Sequence, residues 1–223
     1  MTGAPPKALL AREAAAFVKM RIMATFGPAV NLAQVGAGRR VMVIPGFMAS
    51  DRTTGRIRRS LDRAGFVSMG WGLGRNRGVQ ADIFERMDAR FATLPEEPVT
   101  LIGWSLGGLV AREYAKHAAH RVAKVITLGS PFSGDMRANN AWRAYEIIAG
   151  HSVDNLPIDV TLNEKPPVPT TAFWSARDGV VSGTSARGLP GETDEQIELD
   201  CSHMAFVAQA EAIRQIAAAI SVR

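Results

Sequence analysis

Short apolar runs alternate with segments of helical periodicity along most of this 223-residue chain. The apolar runs predict buried strands over residues 40–47, 66–69, 99–102, 122–128, 170–174 and 196–199. Between the runs, apolar residues recur every three or four positions, which predicts helices over residues 51–64, 80–94, 109–118, 141–149 and 204–220. Strands that alternate with helices in this way predict an α/β fold on a mainly parallel sheet, with helices on both faces.

A helical pattern also covers residues 6–26, ahead of the first strand. Its apolar positions form one stripe, which consists of Ala11, Ala14, Val18, Ile22 and Phe26, with Leu10 and Phe17 beside them. We expect this helix to pack on the main domain. A helix that lies on a membrane surface or closes over a binding cleft stays an open alternative.

Residues 133–168 break the alternation, because one helical segment is followed by a proline-rich stretch with Pro157, Pro166 and Pro167. We interpret this segment as an insertion that folds over the sheet edge as a small cap. The chain contains no internal repeat, and its length suits one domain with a full core. We therefore expect a single domain over residues 1–223.

The composition is that of an ordinary globular protein, with 47% hydrophobic and 21% charged residues. A net charge of +5 is too small for a dedicated nucleic-acid-binding protein. The basic residues form one cluster, which consists of Arg52, Arg56, Arg58, Arg59 and Arg63. We interpret this cluster as the solvated face of a helix, in preference to a patch that binds phosphate or anionic lipid. Cys201 is the single cysteine, so an internal disulfide is excluded. With no transmembrane or secretory pattern, we expect a cytoplasmic protein.

The run from Val99 to Val110 carries the clearest chemical signal. Four apolar or β-branched residues lead into Gly103-Trp-Ser-Leu-Gly107, and a helical segment follows at once. A strand that turns directly into a helix places one residue in a strained backbone conformation, which here is Ser105. Its side chain is then exposed at the sheet edge, where a serine can act as a nucleophile.

A serine nucleophile needs a base, and His203 is the candidate because it follows the last predicted strand. Ligands bind along that edge of a parallel sheet. Asp178 ends the preceding strand and therefore reaches the same edge, so it is the candidate for orienting the histidine. Asp135 is the reserve candidate for this acid, and Asp200 is a poor one because it is too close to His203 in sequence.

The other three histidines are weaker candidates. His117 and His120 end the helix after Ser105, on the wrong side of the sheet to reach the serine. His151 falls in the cap and stays open as a substrate contact. A metal or cofactor site is not expected, because the histidines are unpaired and the glycine-rich loop 70–78 lacks dinucleotide-binding spacing.

An oxyanion needs two N–H donors, and the residue after the nucleophile, Leu106, supplies one of them. The second should come from the turn after the first strand, where Phe47 is the first choice and Met48 the second. Apolar residues around these positions predict that the entrance of the active site is apolar and suited to acyl chains. The predicted substrate contacts are Met48, Trp104, Trp142 and Met204.

On these motifs the chain resembles the α/β-hydrolases of the lipase and esterase kind. The matching segments are residues 43–47, 103–108, 177–181 and 202–204. The chain has Pro45-Gly46 where many members have His-Gly. The first two, antiparallel strands of larger members are missing, and the N-terminal helix takes their place. This difference implies a trimmed sheet of about six strands.

The residues and the resemblance together predict a serine hydrolase that cleaves a small-molecule or lipid carboxylic ester through an acyl-enzyme. In this scheme Ser105 attacks, His203 transfers the proton and Asp178 orients His203. Acyl transfer or thioester hydrolysis by the same three residues is the alternative enzyme reaction. A hydrolase-fold binding protein without turnover is the alternative outside enzymes. Contact with a membrane surface stays open, and the sequence does not indicate an oligomeric state.

Overall fold

A computed structural model describes residues 3–221 and places the six apolar runs in one sheet. The strands are β1 (Arg40–Ile44), β2 (Val67–Gly70), β3 (Val99–Trp104), β4 (Val122–Leu128), β5 (Thr170–Trp174) and β6 (Glu195–Glu198). Their order is β2-β1-β3-β4-β5-β6, and each neighbouring pair is parallel. The predicted α/β fold, with a parallel sheet of about six strands, is confirmed.

Seven helices accompany the sheet within the described range, and five of them lie between strands. They are α1 (Lys7–Phe26), α2 (Gly55–Arg63), α3 (Ile83–Ala92), α4 (Leu106–His117), α5 (Trp142–Ala149), α6 (Gly183–Arg187) and α7 (Ala210–Ser221). The short α6 was not predicted, since its Gly, Ser and Thr residues favour a loop. The last helix begins six residues later than expected, because a 3₁₀ turn at His203–Ala205 precedes it.

The sheet is buried on both faces, as its continuous apolar strands require. Successive residues of a strand point to opposite faces, so Val41 and Val43 contribute to one core and Met42 and Ile44 to the other. Helices α1, α2 and α7 cover the first face, and α3, α4 and the cap cover the second. The carboxyl ends of β1, β3, β4 and β5 therefore meet between these two layers.

Helix α1 packs on the domain as expected, but through the other face. Its buried residues are Glu13, Met20 and Ala24. The predicted stripe and the two residues beside it instead supply exposed side chains: Leu10, Phe17, Val18, Ile22 and Phe26. The orientation follows from polar partners, because the Arg59 guanidinium donates to the carbonyl oxygens of Ala24 and Gly27, both at 3.0 Å.

The arginine cluster does not form a uniformly solvated face, which corrects the expectation from composition. The Arg56 side chain is buried and donates to the Pro28 and Ala208 carbonyl oxygens. Arg58 is half-buried and donates to the Asp51 carbonyl oxygen at 2.8 Å. These two guanidinium groups donate to carbonyl oxygens of other segments and therefore help to hold the fold together.

Residues 133–168 contribute side chains to the core on the α3 and α4 side of the sheet. Tyr145 of α5 is buried, and its hydroxyl accepts a hydrogen bond from the Val79 N–H at 3.2 Å. A backbone bridge between Asn139 and Val181 joins the cap to the loop after β5. Over residues 3–221 the helices are all too short or too polar to cross a bilayer.

Candidate active site

Ser105 occupies the turn between β3 and α4, as the sequence predicts. Its backbone has φ 54° and ψ −123°, a conformation that a residue with a Cβ adopts only at a cost. Its N–H donates to the Leu128 carbonyl oxygen at 2.8 Å, and its own carbonyl oxygen accepts from the Gly108 N–H at 2.9 Å. The turn is therefore fixed from both sides and leaves the Ser105 side chain half-buried at the sheet edge.

Two glycines let the strand and the helix come this close. A Cβ added to Gly103 would collide with the backbone of Gly107 and Gly108. A Cβ added to Gly107 would collide with the carbonyl oxygen of Ile44 in β1. The glycine positions of the motif thus have a steric reason here, since neither site has room for a side chain.

The Asp178 carboxylate and the His203 ring form a buried pair. His203 Nδ1 lies 2.7 Å from Asp178 Oδ2, and both side chains are at most 2% exposed. Asp178 Oδ1 accepts from the N–H groups of Val180 and Val181, each at 2.8 Å. Because one carboxylate oxygen is held by the backbone, the other is aimed at the imidazole and fixes which ring nitrogen carries the proton.

The reserve candidates for the acid lie elsewhere. Asp135 is exposed in the cap, and its Oδ1 accepts from the Arg137 N–H at 2.7 Å. Asp200 is exposed and pairs with the Arg177 guanidinium at 2.8 Å. Of the three carboxylates considered from the sequence, only Asp178 reaches the His203 ring.

The serine and the buried pair are brought together at the end of β4. Gly129 follows Leu128, the residue that accepts the Ser105 N–H. A Cβ added to Gly129 would lie 2.9 Å from Asp178 Oδ2 and 3.2 Å from His203 Nδ1. The pair therefore lies directly over the strand end beside Ser105. Trp104 contributes as well, since its indole N–H donates to the His203 carbonyl oxygen at 3.1 Å.

The turn after β1 passes next to the serine. A Cβ added to Gly46 would be 3.1 Å from the Trp104 carbonyl oxygen and 3.2 Å from Ser105 Cβ. The Met48 N–H already donates to the Asn76 carbonyl oxygen at 2.6 Å, which removes the second choice for an oxyanion donor. Among residues 3–221, no backbone acceptor takes the N–H of Phe47 or of Leu106.

Asn76 is a contributor that sequence reasoning missed. Its side chain is 1% exposed, and its Nδ2 donates to the Pro45 carbonyl oxygen at 2.8 Å. Its N–H donates to the Ala49 carbonyl oxygen at 2.9 Å. Asn76 thus braces the turn around Phe47 from both ends. The sequence places Asn76 only in the glycine-rich loop 70–78, and it does not show the burial that makes this side chain need backbone partners.

An apolar pocket opens beside Ser105 and encloses about 770 Å³ of empty space, part of it open to solvent. Helix α4 supplies one wall, with Leu106, Leu109 and Val110 on the same face. The cap, helix α3 and the turn after β1 supply the other walls, chiefly Phe47, Phe84, Met136, Trp142, Tyr145, Leu156, Ile158 and Leu162. Glu113 also lines the pocket, and its carboxylate pairs with Lys116 Nζ at 2.8 Å.

Of the four predicted substrate contacts, Trp142 lines this pocket and the other three lie elsewhere. Trp104 is buried beneath His203, because the residue before Ser105 still belongs to β3 and points away from the pocket. Met48 is 37% exposed and lies on the outside of its turn. Met204 lies on the α1 side of the His203 turn, where its N–H donates to Glu13 Oε2 at 3.1 Å.

The charge state of His203 follows from its surroundings. Burial by itself lowers the pKa of this imidazole, but the Asp178 carboxylate and then the more distant Glu13 raise it. The net result is a pKa above the ordinary value of 6.5. Nearby, burial raises the pKa of the Cys201 thiol to about 12, so this side chain stays neutral at the site.

The remaining histidines stay outside the pair. His117 Nε2 lies 2.8 Å from Asp88 Oδ2 at the exposed end of α4, and His120 is exposed beyond it. His151 lies behind Tyr145 and contacts the Val79 carbonyl oxygen through Nε2 at 2.8 Å. Within the described range, no group of three His, Cys, Asp or Glu side chains is arranged to hold a metal ion.

Comparison with known proteins gives a consistent result. The family model described as the alpha/beta hydrolase fold matches residues 44–161. A pimeloyl-(acyl-carrier protein) methyl ester esterase from Sodalis glossinidius is 41% identical over 59 residues, 26% of this chain and 23% of the relative. The protein with the same name from Shewanella woodyi is 26% identical over 115 residues, 51% of this chain and 44% of the relative. The chain thus matches less than half the length of these relatives.

Solved structures resemble the whole fold. A carboxylesterase from Bacillus subtilis superposes with a TM-score of 0.57 at 13% identity, covering 96% of this chain and 98% of the other. The 2-hydroxy-6-oxo-6-phenylhexa-2,4-dienoate hydrolase from Rhodococcus superposes with a TM-score of 0.62 at 14% identity, covering 80% and 89%. At such identities the likeness concerns the fold alone.

Proposed function

The chain belongs to the alpha/beta hydrolase fold family, and from that premise we propose that it is a serine hydrolase that cleaves carboxylic esters through an acyl-enzyme. One observation carries this proposal. A buried Asp178–His203 pair, joined at 2.7 Å, lies beside a serine held in a strained strand-to-helix turn. The names of the curated relatives, which describe methyl ester esterases, support the same reaction class.

In this proposal His203 acts as the base and then as the acid. Its Nδ1 proton is directed to Asp178, so Nε2 is free to accept the Ser105 proton as the oxygen attacks the ester carbonyl. The imidazolium that forms is stabilised by the buried carboxylate. Proton return to the departing alkoxide releases the alcohol and leaves an acyl-serine, and a water molecule activated by the same imidazole hydrolyses it.

The oxyanion of each tetrahedral intermediate is assigned to the N–H groups of Phe47 and Leu106. Leu106 is the first residue of α4, so its N–H has no partner within the helix. The partial positive charge at the helix N-terminus acts in the same direction. Phe47 lies in the turn that Asn76 braces beside Ser105, so its N–H is preorganised before substrate arrives.

The pocket favours an uncharged apolar acyl or alcohol group. Apolar side chains form most of its lining, and its one charged residue, Glu113, lies seven residues after Leu106 on α4. At the helical rise that is about 10 Å further from the serine. A small-molecule or lipid ester with an aliphatic chain along α4 therefore fits best, and a negatively charged chain end would meet the Glu113 carboxylate.

A labelling experiment tests the assignment of the nucleophile. A fluorophosphonate should attach to the peptide that contains Ser105, and Ser105→Ala should lose about 10⁶-fold in ester turnover. The matched control is Ser68→Ala, which alters a serine in the edge strand β2 and should keep both labelling and turnover. Labelling at another serine, or turnover by Ser105→Ala, would refute the proposal.

As for partners, we propose that the outer face of α1 contacts an anionic membrane surface. Five apolar side chains of this face are 38–83% exposed: Leu10, Phe17, Val18, Ile22 and Phe26. Exposed basic side chains accompany them, namely Lys7, Arg12, Lys19 and Arg21, while the single acidic residue of the helix, Glu13, is buried. Apolar residues flanked by cations alone suit a lipid surface with negative headgroups.

Vesicle sedimentation tests this contact. The protein should sediment with phosphatidylcholine vesicles that contain phosphatidylserine, and added salt should weaken the binding. The double variant Val18→Ser/Ile22→Ser should lose the binding. The control Ile147→Ser/Ile148→Ser, at exposed apolar positions of α5, should keep it. Absence of vesicle binding, or a dimer that the α1 variant abolishes, would contradict a lipid partner.

The location is a separate proposal. Cys201 is the single cysteine and is buried, so the fold relies on no disulfide within this chain. We propose on this ground that the protein acts in the reducing environment of the cytoplasm.

A further inference from the structure

Glu13 is a buried carboxylate at the active site that the reaction scheme does not use. It is the only acidic residue of α1 and is 4% exposed. Among residues 3–221, no Lys, Arg or His side chain forms an ion pair with it. A buried charge without a cation is costly, so its position calls for strong hydrogen-bond partners.

Those partners are three backbone N–H groups from two different loops. Glu13 Oε1 accepts from the Gly179 N–H at 3.0 Å and from the His203 N–H at 2.7 Å. Glu13 Oε2 accepts from the Met204 N–H at 3.1 Å. Gly179 directly follows Asp178, so one carboxylate holds both the loop of the acid and the turn of the base.

The backbone of α1 also lies directly on the acid loop. A Cβ added to Gly179 would be 2.5 Å from the carbonyl oxygen of Leu9. The Asn140 side chain donates to the carbonyl oxygens of Pro5 and Gly179, at 3.0 and 2.9 Å. The N-terminal segment is therefore packed against the loop that carries Asp178 by steric fit as well as by hydrogen bonds.

Asp178 follows β5 and His203 follows β6, so their 2.7 Å contact depends on how two separate loops lie relative to each other. We propose that Glu13 is a positioning residue that sets this contact and places a second negative charge beside the His203 imidazole. This inference rests on the proposed roles of Asp178 and His203. It makes α1 part of the hydrolytic machinery instead of a helix that only covers the sheet.

The charged and titratable groups around His203 are few. Asp178 contacts the imidazole, Glu13 accepts from the backbone N–H of the same residue, and both carboxylates raise the pKa of the imidazole. Cys201, in the turn that precedes His203, has a pKa raised to about 12 and stays neutral. Asp200 and Arg177 neutralise each other on the exposed side of the same turn. Removal of the Glu13 charge is therefore expected to lower the pKa of His203.

Two substitutions separate the charge from the hydrogen bonds. Glu13→Gln keeps an oxygen that can accept from Gly179 and His203, but it removes the charge and the acceptor of the Met204 N–H. We expect its maximal kcat within about tenfold of wild type, with the acidic limb of the kcat/KM profile shifted to lower pH. Glu13→Ala removes every acceptor, and we expect kcat to fall about a hundredfold with KM nearly unchanged, because the pocket is intact.

The control is Met20→Ala, a buried position of α1 that touches neither loop through a hydrogen bond. It should lower thermal stability and keep the wild-type pH profile. The His203 titration is also followed by NMR of the imidazole nitrogens, a readout that needs no turnover. A lower pKa of His203 in Glu13→Gln supports the inference even if the protein hydrolyses no ester. A lack of ester hydrolysis would refute only the proposed reaction.

Other results would overturn the role of Glu13. One is an unchanged His203 titration in Glu13→Gln together with wild-type kcat in Glu13→Ala. Another is a loss of kcat in Glu13→Ala that Met20→Ala reproduces at equal loss of thermal stability. Either result would mean that the carboxylate anchors α1 to the domain and does nothing further.

Discussion

At the scale of single residues, the site depends on groups whose freedom has been removed. Ser105 is held at φ 54° by two backbone hydrogen bonds, and Asp178 Oδ1 by two more. Each restraint leaves one atom available for chemistry, the serine hydroxyl in one case and Asp178 Oδ2 in the other. Preorganisation of this kind lowers the reorganisation that the transition state would otherwise require.

The choice between the two carboxylates gives the first prediction. Asp178→Asn keeps the shape of the side chain but removes the charge that stabilises the imidazolium, so kcat should fall about 10⁴-fold at neutral pH. Asp135→Asn alters an exposed carboxylate in the cap and should stay within about tenfold of wild type. Steady-state kinetics on one activated ester compares them. The opposite ranking would assign the acid to Asp135.

Residue identities and chain order were sufficient to predict where three residues lie, while their catalytic roles stay a prediction. The sequence order of Ser105, Asp178 and His203, each after a predicted strand, already placed all three at one sheet edge, where the structure has them. The direction of side chains was less accessible. Trp104 precedes Ser105 by one residue and therefore points to the opposite face, which sequence proximity alone does not reveal. The contacts of Glu13 could not be predicted from the sequence, because its partners are backbone N–H groups of loops that are distant in the chain.

At the scale of elements, strands were predicted well and helix faces less well. Buried parallel strands are continuous apolar runs, and these keep their signal in any context. Helix α1 is apolar on both sides, so periodicity alone could not choose the face that packs on the domain. Two polar contacts determine which face packs: the Arg59 side chain donates to the α1 backbone, and the Glu13 carboxylate accepts hydrogen bonds from backbone N–H groups. Such tertiary polar contacts are not encoded in a local pattern.

The cap yields a prediction at this scale. Trp142 of α5 lines the pocket and is half-buried, with Arg143 over its outer face at 4.6 Å from the ring centre. Trp142→Ala widens the pocket at a position where the side chain contributes little to the packing of the main core. We expect the preferred acyl chain of p-nitrophenyl esters to lengthen. The melting temperature should stay within a few degrees, because in a chain of this size a loss of about 1 kcal/mol in the free energy of unfolding lowers it by roughly 2–4 °C.

Tyr145→Phe is the matched control for the Trp142 variant. It keeps the aromatic ring against Phe47 and removes only the hydroxyl that accepts from the Val79 N–H. We expect an unchanged chain-length profile with a lower melting temperature, since a buried donor loses its partner. A Trp142→Ala enzyme that loses stability without any change of selectivity would mean that this ring belongs to the core.

At the scale of the whole molecule, activity and stability require opposite protonation states of the His203 side chain. The pKa of His203 is raised in the folded state above its ordinary value of 6.5. Protonated His203 therefore stabilises the fold, and this contribution is fully present below about pH 6.5 and lost as pH rises through the folded pKa. The same protonated imidazole cannot accept the Ser105 proton, so activity rises over the interval in which that stability is lost.

This opposition can be measured. Urea denaturation across the interval above about pH 6.5 should give a free energy of unfolding that falls more steeply with pH in wild type than in His203→Gln. The kcat/KM of wild type should rise over the same interval. Equal slopes for the two proteins would show that His203 titrates alike in the folded and unfolded states, contrary to its burial against Asp178 and Glu13.

The central claim is that this chain hydrolyses esters through an acyl group carried on Ser105. The most direct measurement is mass spectrometry of the protein quenched in acid during turnover of a p-nitrophenyl ester. The account predicts a mass increase of one acyl group, located on the peptide that contains Ser105 and absent from Ser105→Ala. An acyl group on a different residue, or steady hydrolysis with no acylated protein in rapidly quenched samples, would contradict it.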